Sequence, residues 1–222
     1  MIDEDPPPIV TEITGSIAIV RFNRPTQRNP LSLDTLQELG RTTSALFPRN
    51  DIQAVIFIGS DDVFASGANI RELAQLDSKA ALKFSRLGQE LFQTIADARQ
   101  ITIAAINGYC MGGGLDLALG CDIRVASKGA VFSHPGAKLG IITGWGGTQR
   151  LPRVIGRARA LEFFATARRY SSADALEMGL INRVGDPVIE CAIECVREAS
   201  ALASPSSGIE QFLSGNPQSS GQ

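Results

Sequence analysis

Hydrophobic and polar residues alternate near the start of the chain, and short apolar runs recur further along it. The alternation over residues 9–13 and 17–22 predicts two strands that form a hairpin around the turn 14–16. The apolar runs at 52–58 and 101–106 predict two further strands. Each run is followed by glycine or polar residues, so each predicted strand ends in a loop.

Apolar residues at helical spacing lie between these strands. Ser32 is predicted to cap a helix that runs to about Leu46. A second helix is predicted over 78–98, with one side formed by Leu82, Leu87, Leu91, Phe92 and Ile95. The second half of the chain is predicted to hold strands at 122–126, near Val131 and at 181–184, and helices at 144–155, 158–167, 172–178 and 188–202.

This alternation of strands and helices predicts an α/β fold, in a pattern too irregular for a barrel of eight units. With 222 residues, the chain has the length of one domain or of one domain with an appendage. We expect a flexible tail over 1–8, one domain over 9–203 and a disordered tail over 204–222. The last segment is rich in Ser, Gly, Pro and Gln.

Composition narrows the class of protein. Hydrophobic residues make up 44% and charged residues 20%, which is ordinary for a globular protein, and the net charge is −2. Because no broad basic patch is expected, the charge argues against nucleic acid as a partner. The apolar runs are too short for a membrane span, and the acidic, proline-rich N-terminus is unlike a signal peptide. We therefore expect a cytoplasmic protein with no membrane partner.

The cysteines and the single histidine exclude several kinds of catalytic site. The four cysteines match no zinc or redox spacing, and Cys191 and Cys195 are expected to pack on one face of a helix. His134 is the only histidine, so any Ser-His-Asp or Cys-His mechanism would depend on it. The chain also has no GxSxG motif. The sequence therefore predicts no metal site.

The segment 101–121 carries the strongest chemical signal. The apolar run there enters a loop that holds Gly112, Gly113 and Gly114, and a helical pattern follows at once. The first N–H groups of a helix lack partners within it and lie at its positive end, and glycine lets a ligand approach closely. Asp116 lies in the first turn. The segment thus predicts N–H donors for an anion or oxyanion beside a carboxylate.

A second loop of small residues supplies a partner for this segment. The sequence FASGAN, residues 64–69, follows the strand-like run 54–59. The N–H of Ala68 is expected to point to the same place as the first loop. Taken alone, the glycine cluster fits close packing of helix on strand equally well. It has neither GxGxxG nor the GK[ST] of a phosphate loop, so a nicotinamide-dependent enzyme remains only a third option.

These motifs, in this order, resemble those of the crotonase family, the enoyl-CoA hydratases and isomerases. The resemblance extends over about 9–203 and is carried by residues 22–32, 64–70, 107–126, 132–141, 146–156 and 171–184. It implies a ββα spiral, an acyl-CoA thioester as substrate, no other cofactor, and a homotrimer or a hexamer made of two trimers. Family members usually continue through further helices, so the C-terminal part is expected to be shortened.

The resemblance also implies roles for particular residues. The N–H groups of Ala68 and Gly113 correspond to the oxyanion hole for the thioester carbonyl. Asp116 corresponds to one of two acidic positions of the hydratases, and Gly136 corresponds to the other, where the hydratases carry glutamate. The remaining residues expected to bind coenzyme A or the acyl group are Ser66, Ile70, Arg71, Gly112, His134, Gly136 and Trp145.

Several of these residues have a second interpretation. Arg71 is equally consistent with a solvated helix charge, and Trp145 with buried packing. His134 is either a loop histidine without a chemical role or the replacement for the missing carboxylate. Asp122 is expected to be structural, with Arg150 either its ion-pair partner or a helix-end charge.

Two classes of function follow from these residues. The leading hypothesis is an enzyme of the enoyl-CoA hydratase/isomerase type, with isomerisation or decarboxylation of an acyl-CoA as the alternative reaction. The second class is a non-catalytic acyl-CoA-binding homologue, which Gly136 and the shortened C-terminal part both favour. Tight binding of an acyl-CoA without turnover would distinguish the second class from the first.

Overall fold

The computed structural model describes residues 6–202. The strands are β1 (Ile9–Thr14), β2 (Ile17–Phe22), β3 (Pro30–Leu31), β4 (Ala54–Ile58), β5 (Val63–Ala65), β6 (Gly67–Ala68), β7 (Ile101–Ile106), β8 (Tyr109–Met111), β9 (Ile123–Ala126), β10 (Val131–Ser133), β11 (Tyr170–Ser171) and β12 (Arg183–Val184). The α-helices are α1 (Leu33–Leu46), α2 (Ile70–Leu73), α3 (Ser78–Ala96), α4 (Gly113–Gly120), α5 (Gly147–Ile155), α6 (Arg157–Thr166), α7 (Ser172–Glu177) and α8 (Val188–Leu202).

The main sheet has the strand order β1-β2-β4-β7-β9-β12. The first two strands form the predicted antiparallel hairpin, in register from Ile9 opposite Phe22 to Thr14 opposite Ile17, and Gly15 turns it with a φ of 58°. All later neighbours are parallel. Parallel neighbours need crossovers, which the helices supply. The α/β prediction is therefore confirmed.

A second sheet has the order β11-β10-β8-β5, and β3 pairs with β6. Successive stretches of chain place one strand in each of the two larger sheets: β4 then β5, β7 then β8, and β9 then β10. Helices follow each such pair, so the chain winds as repeated turns of two strands and a helical part. The ββα spiral is thus confirmed as the arrangement of the described residues.

The central strands are buried on both faces, and successive residues of a strand alternate between two hydrophobic clusters. Ile56 of β4 and Ile103 of β7 pack with Ala192 and Val196 of α8, whereas Phe57 faces the larger core under the other helices. Such two-sided burial explains why these strands read as continuous apolar runs. Cys195 is buried and Cys191 is half-buried within the α8 cluster, which confirms their predicted packing on one face.

Helix α1 begins as predicted, because the Ser32 side chain accepts a hydrogen bond from the Thr35 N–H. The predicted buried side of α3 was wrong at one position. Leu82 is 53% exposed, while Phe84 and Gly88 are buried with the later residues of that face. The helical period continues through Phe84, and Gly88 leaves room for a neighbouring side chain.

Helix α5 begins at Gly147, three residues after the predicted start. The preceding backbone is held by α3, since the carbonyl of Gly144 accepts hydrogen bonds from Ser85 Oγ and Gln89 Nε2. Gly146 then adopts a φ of 101°, which a helix does not permit. These contacts keep residues 144–146 in a bend that precedes the helix.

The predicted tails lie mostly outside residues 6–202, and the domain limits stay predictions. The carbonyl of Pro8 accepts a hydrogen bond from the Asn23 N–H, so the backbone just before β1 is attached to the sheet. Among the described residues, none of the helices combines the length and apolar character that crossing a membrane requires.

Candidate active site

The N-terminus of α4 packs directly against the backbone of β5 and β6. A Cβ on Gly114 would lie 2.4 Å from the Ala65 carbonyl oxygen, and a Cβ on Gly67 would lie 2.9 Å from the Gly113 nitrogen. Only glycine permits these approaches, and Gly67 also has a φ of 92°. The two small-residue loops singled out in the sequence therefore touch at the backbone.

Ala68 and Gly113 meet at this contact. The Ala68 nitrogen lies 3.5 Å from the point that a Cβ on Gly113 would occupy. Gly113 is the first residue of α4, so its N–H has no acceptor within the helix and lies at the positive end of the dipole. The N–H of Gly112 is already used, because it donates to the Ser133 carbonyl. The pair Ala68 and Gly113 is thus suitably placed to bind an anionic oxygen.

Asp116 lies one turn further along α4 and is 1% exposed. The Thr143 hydroxyl donates a hydrogen bond to Oδ2 of Asp116. Oδ1 lies 3.4 Å from His134 Nε2, which is close enough for an ion pair, but neither atom has a hydrogen-bond partner within residues 6–202. A Cβ on Gly147 would lie 2.0 Å from Oδ1. The carboxylate is therefore enclosed by His134 and the segment 143–147.

His134 reaches this position from the end of β10. This strand pairs in parallel with β8, which places Ser133 beside Met111 just before α4. The imidazole is 5% exposed and packs edge-on against Phe164, with ring centroids 5.1 Å apart. Sheet pairing thus brings the only histidine and Asp116 together from positions 18 residues apart in the sequence.

Gly136 lies beside His134 and is buried. A Cβ there would lie 2.6 Å from the Ile141 carbonyl oxygen and 3.6 Å from His134 Nδ1. The contact with Ile141 is to backbone, so a side chain at this position requires the following segment to move. Position 136 is therefore closed to a side chain in this arrangement.

Trp145 fills the space between α3 and α4. It is 4% exposed, and its Nε1–H donates to the Phe84 carbonyl at 3.2 Å. Its ring packs on Phe84 and Phe92, with centroids at 5.2 and 5.7 Å. A Cβ placed on Gly88 would lie only 2.4 Å from the indole, and a Cβ placed on Gly113 only 2.3 Å from it. Trp145 is therefore packed in the core and also borders the Ala68 and Gly113 pair.

The other predicted binding residues lie further out. Ser66 is half-buried, and its N–H donates to the Arg28 and Asn29 carbonyls. Ile70 is 57% exposed, and Arg71 is also exposed. Within residues 6–202 no side-chain hydrogen bond or ion pair links Arg71 to the group around Asp116. Their binding roles stay predictions.

Asp122 is engaged structurally, because its Oδ2 accepts from both the N–H and the hydroxyl of Thr102. Arg150 is not its ion-pair partner, so that alternative was wrong. The Arg150 guanidinium donates instead to Gln93 Oε1 and to the Trp145 carbonyl. It therefore holds the segment before α5 against α3.

Sequence reasoning missed Thr143 and Gly147. Both touch the Asp116 carboxylate from 27 and 31 residues away. Residues 146–156 were recognised as a motif, but the motif did not show which atoms face α4. A threonine in a glycine-rich segment before a helix gives no local signal of such a contact.

The thiols near the site do not supply a nucleophile. Burial raises the pKa of Cys110 well above its ordinary value, and the charge of Asp116 raises it further. The thiolate is the reactive form of cysteine, and this thiol stays protonated at neutral pH. In the part of the chain that the structure describes, no cluster of three or more His, Cys, Asp or Glu side chains has the arrangement of a metal site.

Comparison with known proteins identifies the family. Residues 12–214 match the family model described as Enoyl-CoA hydratase/isomerase. The short-chain-enoyl-CoA hydratase of Clostridium acetobutylicum is 37% identical over 180 residues, which cover 81% of this chain and 69% of that protein. The crotonyl-CoA hydratase of Syntrophomonas wolfei is 38% identical over 180 residues, with the same two coverages.

Solved structures agree with these sequence matches. The enoyl-CoA hydratase of Bacillus anthracis superposes with a TM-score of 0.83 at 34% identity, covering 87% of this chain and 76% of that one. Pseudomonas aeruginosa DspI superposes with a TM-score of 0.83 at 32% identity, covering 90% and 77%. The chain therefore belongs to the crotonase superfamily, as an acyl-CoA-binding enzyme of the enoyl-CoA hydratase/isomerase type.

Proposed function

We propose that this protein adds water to the double bond of an enoyl-CoA thioester, with Asp116 and His134 as its two acid/base groups. The observation that carries the proposal is the 3.4 Å contact between Asp116 Oδ1 and His134 Nε2. Both atoms are buried, and neither has a hydrogen-bond partner among residues 6–202. Two relatives named as hydratases of enoyl-CoA or crotonyl-CoA support hydration as the reaction.

The N–H groups of Ala68 and Gly113 bind the thioester carbonyl oxygen in this proposal. Negative charge develops on that oxygen when the double bond is attacked, and fixed donors at a helix N-terminus stabilise it. Loss of one such donor typically raises the barrier by about 2.7–4 kcal/mol. The close contact at Gly67 between the loops that carry Ala68 and Gly113 supports this assignment.

The proton transfers balance over one turnover. The pair starts with one proton, on His134, and with Asp116 ionised. The oxygen of water bonds to the β-carbon while one of its protons passes to Asp116, and the electrons of the double bond move onto the thioester oxygen. His134 then gives its proton to the α-carbon as the carbonyl re-forms. Transfer of the proton from Asp116 to His134 restores the starting state.

His134 takes the place of the second carboxylate in this scheme. Gly136 offers no side chain, and the Ile141 carbonyl lies 2.6 Å from the site of its missing Cβ. His134 lies two residues earlier and is turned towards Asp116. Histidine both accepts and donates a proton near neutral pH, as this role requires.

Double-bond isomerisation is the second candidate function. The absence of a carboxylate at Gly136 favours it, because one group is sufficient to move a proton between two carbons of the acyl chain. In that case Asp116 does the chemistry alone, and His134 only packs beside it. The two candidates therefore differ in what they require of His134.

The test compares hydration of crotonyl-CoA by the wild type, Asp116→Asn, His134→Gln and His134→Ala. Loss of the enoyl thioester absorbance measures hydration, and exchange of the α-protons of butyryl-CoA with D₂O measures proton transfer alone. Because general acid/base groups typically contribute 10²–10⁴-fold, we expect Asp116→Asn to lose hydration by about that factor. Exchange of the α-protons should instead fall in the His134 variants, since His134 carries the α-proton in this scheme, whereas isomerisation by Asp116 alone predicts loss of exchange in Asp116→Asn.

Glutamine keeps an amide near the position of Nε2 but cannot titrate. If His134 is an acid/base, His134→Gln loses hydration about as severely as His134→Ala, and the pH–rate profile loses one limb. Full hydration by His134→Gln would reject that role. A folded wild type that binds the thioester without either activity would instead indicate a non-catalytic homologue.

The proposed reaction uses no metal and no nicotinamide, and coenzyme A is part of the substrate. A homotrimer or hexamer and a cytoplasmic location remain our expectations. Light scattering of the purified protein tests the first of these: three or six chains per particle would support it, and a monomer would reject it.

A further inference from the structure

We infer that Trp145 forms the end wall of the acyl site and restricts the enzyme to short acyl chains. This inference rests on the proposed function, since it assumes that the thioester oxygen binds to the Ala68 and Gly113 N–H groups. It adds a specificity-determining residue to that function. The evidence is the position of the indole relative to those donors and to Asp116.

The indole borders the place where the acyl chain begins. A Cβ placed on Gly113 would lie 3.5 Å from the Ala68 nitrogen and 2.3 Å from Trp145 Cζ3. The indole and the Ala68 N–H are therefore on the same side of Gly113. An acyl group whose oxygen is held by Ala68 and Gly113 therefore starts beside the indole. Its α- and β-carbons must also lie near His134 and Asp116, the latter one helical turn along α4.

The backbone of Trp145 is tied to the same carboxylate. Its N–H lies 3.5 Å from Thr143 Oγ1, and that hydroxyl donates to Asp116. Gly147, two residues after Trp145, touches the other carboxylate oxygen. The segment 143–147 thus runs along the far side of the reacting carbons, and the indole extends from it towards α3.

The indole is fixed in this position. Its Nε1–H donates to the Phe84 carbonyl, and its ring lies between Phe84, Phe92 and Gly88. A Cβ on Gly88 would stand 2.4 Å from the indole, so α3 has glycine where the ring is seated. A longer acyl chain that followed α4 towards α3 would have to displace a hydrogen-bonded, buried tryptophan.

Removal of the indole would open space of a predictable size. A buried aromatic side chain covers about 150–250 Å², and one methylene covers about 30 Å². The space vacated by Trp145→Ala therefore takes roughly five methylenes. Each buried methylene strengthens binding about fourfold.

The experiment measures the affinity of the full chain for saturated acyl-CoA thioesters from butyryl- to dodecanoyl-CoA by calorimetry. We expect the affinity of the wild type to stop rising beyond the shortest chains. In Trp145→Ala it should rise about fourfold per methylene over the first few added carbons. Trp145→Phe should lie between them, since it keeps part of the wall.

Trp145 is the only tryptophan of the chain, so fluorescence reports on it directly. In the wild type, butyryl-CoA should change the emission, because its acyl chain ends against the indole. Leu36→Ala is the matched cavity control: Leu36 is fully buried in α1, and its removal should lower stability without changing the chain-length profile.

The outcomes separate this inference from the proposed function. Suppose that the protein binds acyl-CoA, but Trp145→Ala leaves the chain-length profile unchanged or butyryl-CoA leaves the emission unchanged. Either result would overturn the role of Trp145 and leave the proposed function standing. Failure to bind any acyl-CoA would overturn both. Measurement of binding rather than turnover keeps the test independent of whether the reaction is hydration or isomerisation.

Discussion

The hydroxyl of Thr143 donates a hydrogen bond to Oδ2 of Asp116, across 27 residues of sequence. This bond joins the segment before α5 to the first turn of α4, and it occupies one of the two carboxylate oxygens. The other oxygen then faces His134 Nε2. Thr143 is therefore positioned to orient Asp116 rather than to react itself.

Thr143→Val should test this orientation, because valine keeps the shape and removes the donor. Leaving a buried carboxylate oxygen without its partner costs about 1–3 kcal/mol in the free energy of unfolding. We expect kcat for crotonyl-CoA to fall more than KM rises, since the carboxylate loses its direction. Thr143→Ser is the control and should retain most of kcat; equal activity of the valine and serine variants would contradict the role.

Gly67 is predicted to be intolerant of any side chain. Its φ of 92° is strained for other residues, and its Cβ would lie 2.8 Å from the Met111 carbonyl and 2.9 Å from the Gly113 nitrogen. Gly67→Ala should therefore lose at least about 1–3 kcal/mol of stability and weaken acyl-CoA binding, because it separates Ala68 from Gly113. Calorimetric binding and thermal unfolding measure the two effects.

Gly40 provides the matched control in helix α1. Nothing lies within 4 Å of a Cβ placed there. Gly40→Ala should raise the free energy of unfolding by about 0.5–1 kcal/mol, since alanine is the better helix former. If Gly67→Ala behaved like Gly40→Ala, the close contact between the two loops would not be required for binding.

The two acids near α4, buried Asp116 and exposed Asp122, are expected to differ in function. Asp122 accepts two hydrogen bonds from Thr102 and so links β7 to the turn between α4 and β9. Asp122→Asn should lower the unfolding free energy by about 1–2 kcal/mol, because a charge-assisted bond becomes neutral. It should leave kcat per folded molecule unchanged, whereas Asp116→Asn should remove it. A large fall in kcat for Asp122→Asn at full folding would contradict this division.

The longer elements of the fold were predictable because their apolar period is extended. The hairpin of β1 and β2, the cap at Ser32 and helix α8 match the sequence interpretation. Strands β3, β6 and β11 contain two residues each, too few to show any period, and only pairing with distant strands makes them strands. They are therefore products of tertiary structure.

In the candidate site, too, some contacts were predictable from local sequence and others depend on tertiary structure. The contact between Ala68 and Gly113 was expected from the order of two local motifs, each a loop of small residues. The contacts of Asp116 with Thr143 and Gly147 depend on how the segment before α5 folds back over α4. No spacing along the chain encodes that path, and the mistaken pairing of Arg150 with Asp122 has the same origin.

Cys121 gives a prediction for alkaline pH. Burial raises the pKa of Cys121 from 9.0 to about 12, with the Asp122 charge raising it and Arg124 opposing. The unfolded thiol loses its proton above pH 9, while the folded one keeps it until pH rises towards 12. The stabilisation is thus complete below pH 9 and is lost above it, by up to about 1.4 kcal/mol per pH unit.

Cys121→Ala removes this contribution. The fall in unfolding free energy between pH 9 and pH 11 should be shallower in Cys121→Ala than in the wild type, while other titrating groups affect both alike. Cys191→Ala, at a half-buried thiol, should change the slope less. Identical slopes for the wild type and Cys121→Ala would show that the thiol is not shielded from ionisation.

Gly136→Glu is expected to fail as a way of raising hydration, although it installs a carboxylate where the resemblance to the hydratases implies one. Its Cβ would lie 2.6 Å from the Ile141 carbonyl oxygen, and backbone cannot move aside as a flexible side chain does. The variant should lose stability and hydrate crotonyl-CoA no faster than the wild type. Gly129→Glu adds the same charge at an exposed glycine with nothing within 4 Å, so it should leave both properties unchanged. Faster hydration by Gly136→Glu would mean that residues 139–142 give way readily and that the missing carboxylate, rather than the Asp116–His134 pair, limits the reaction.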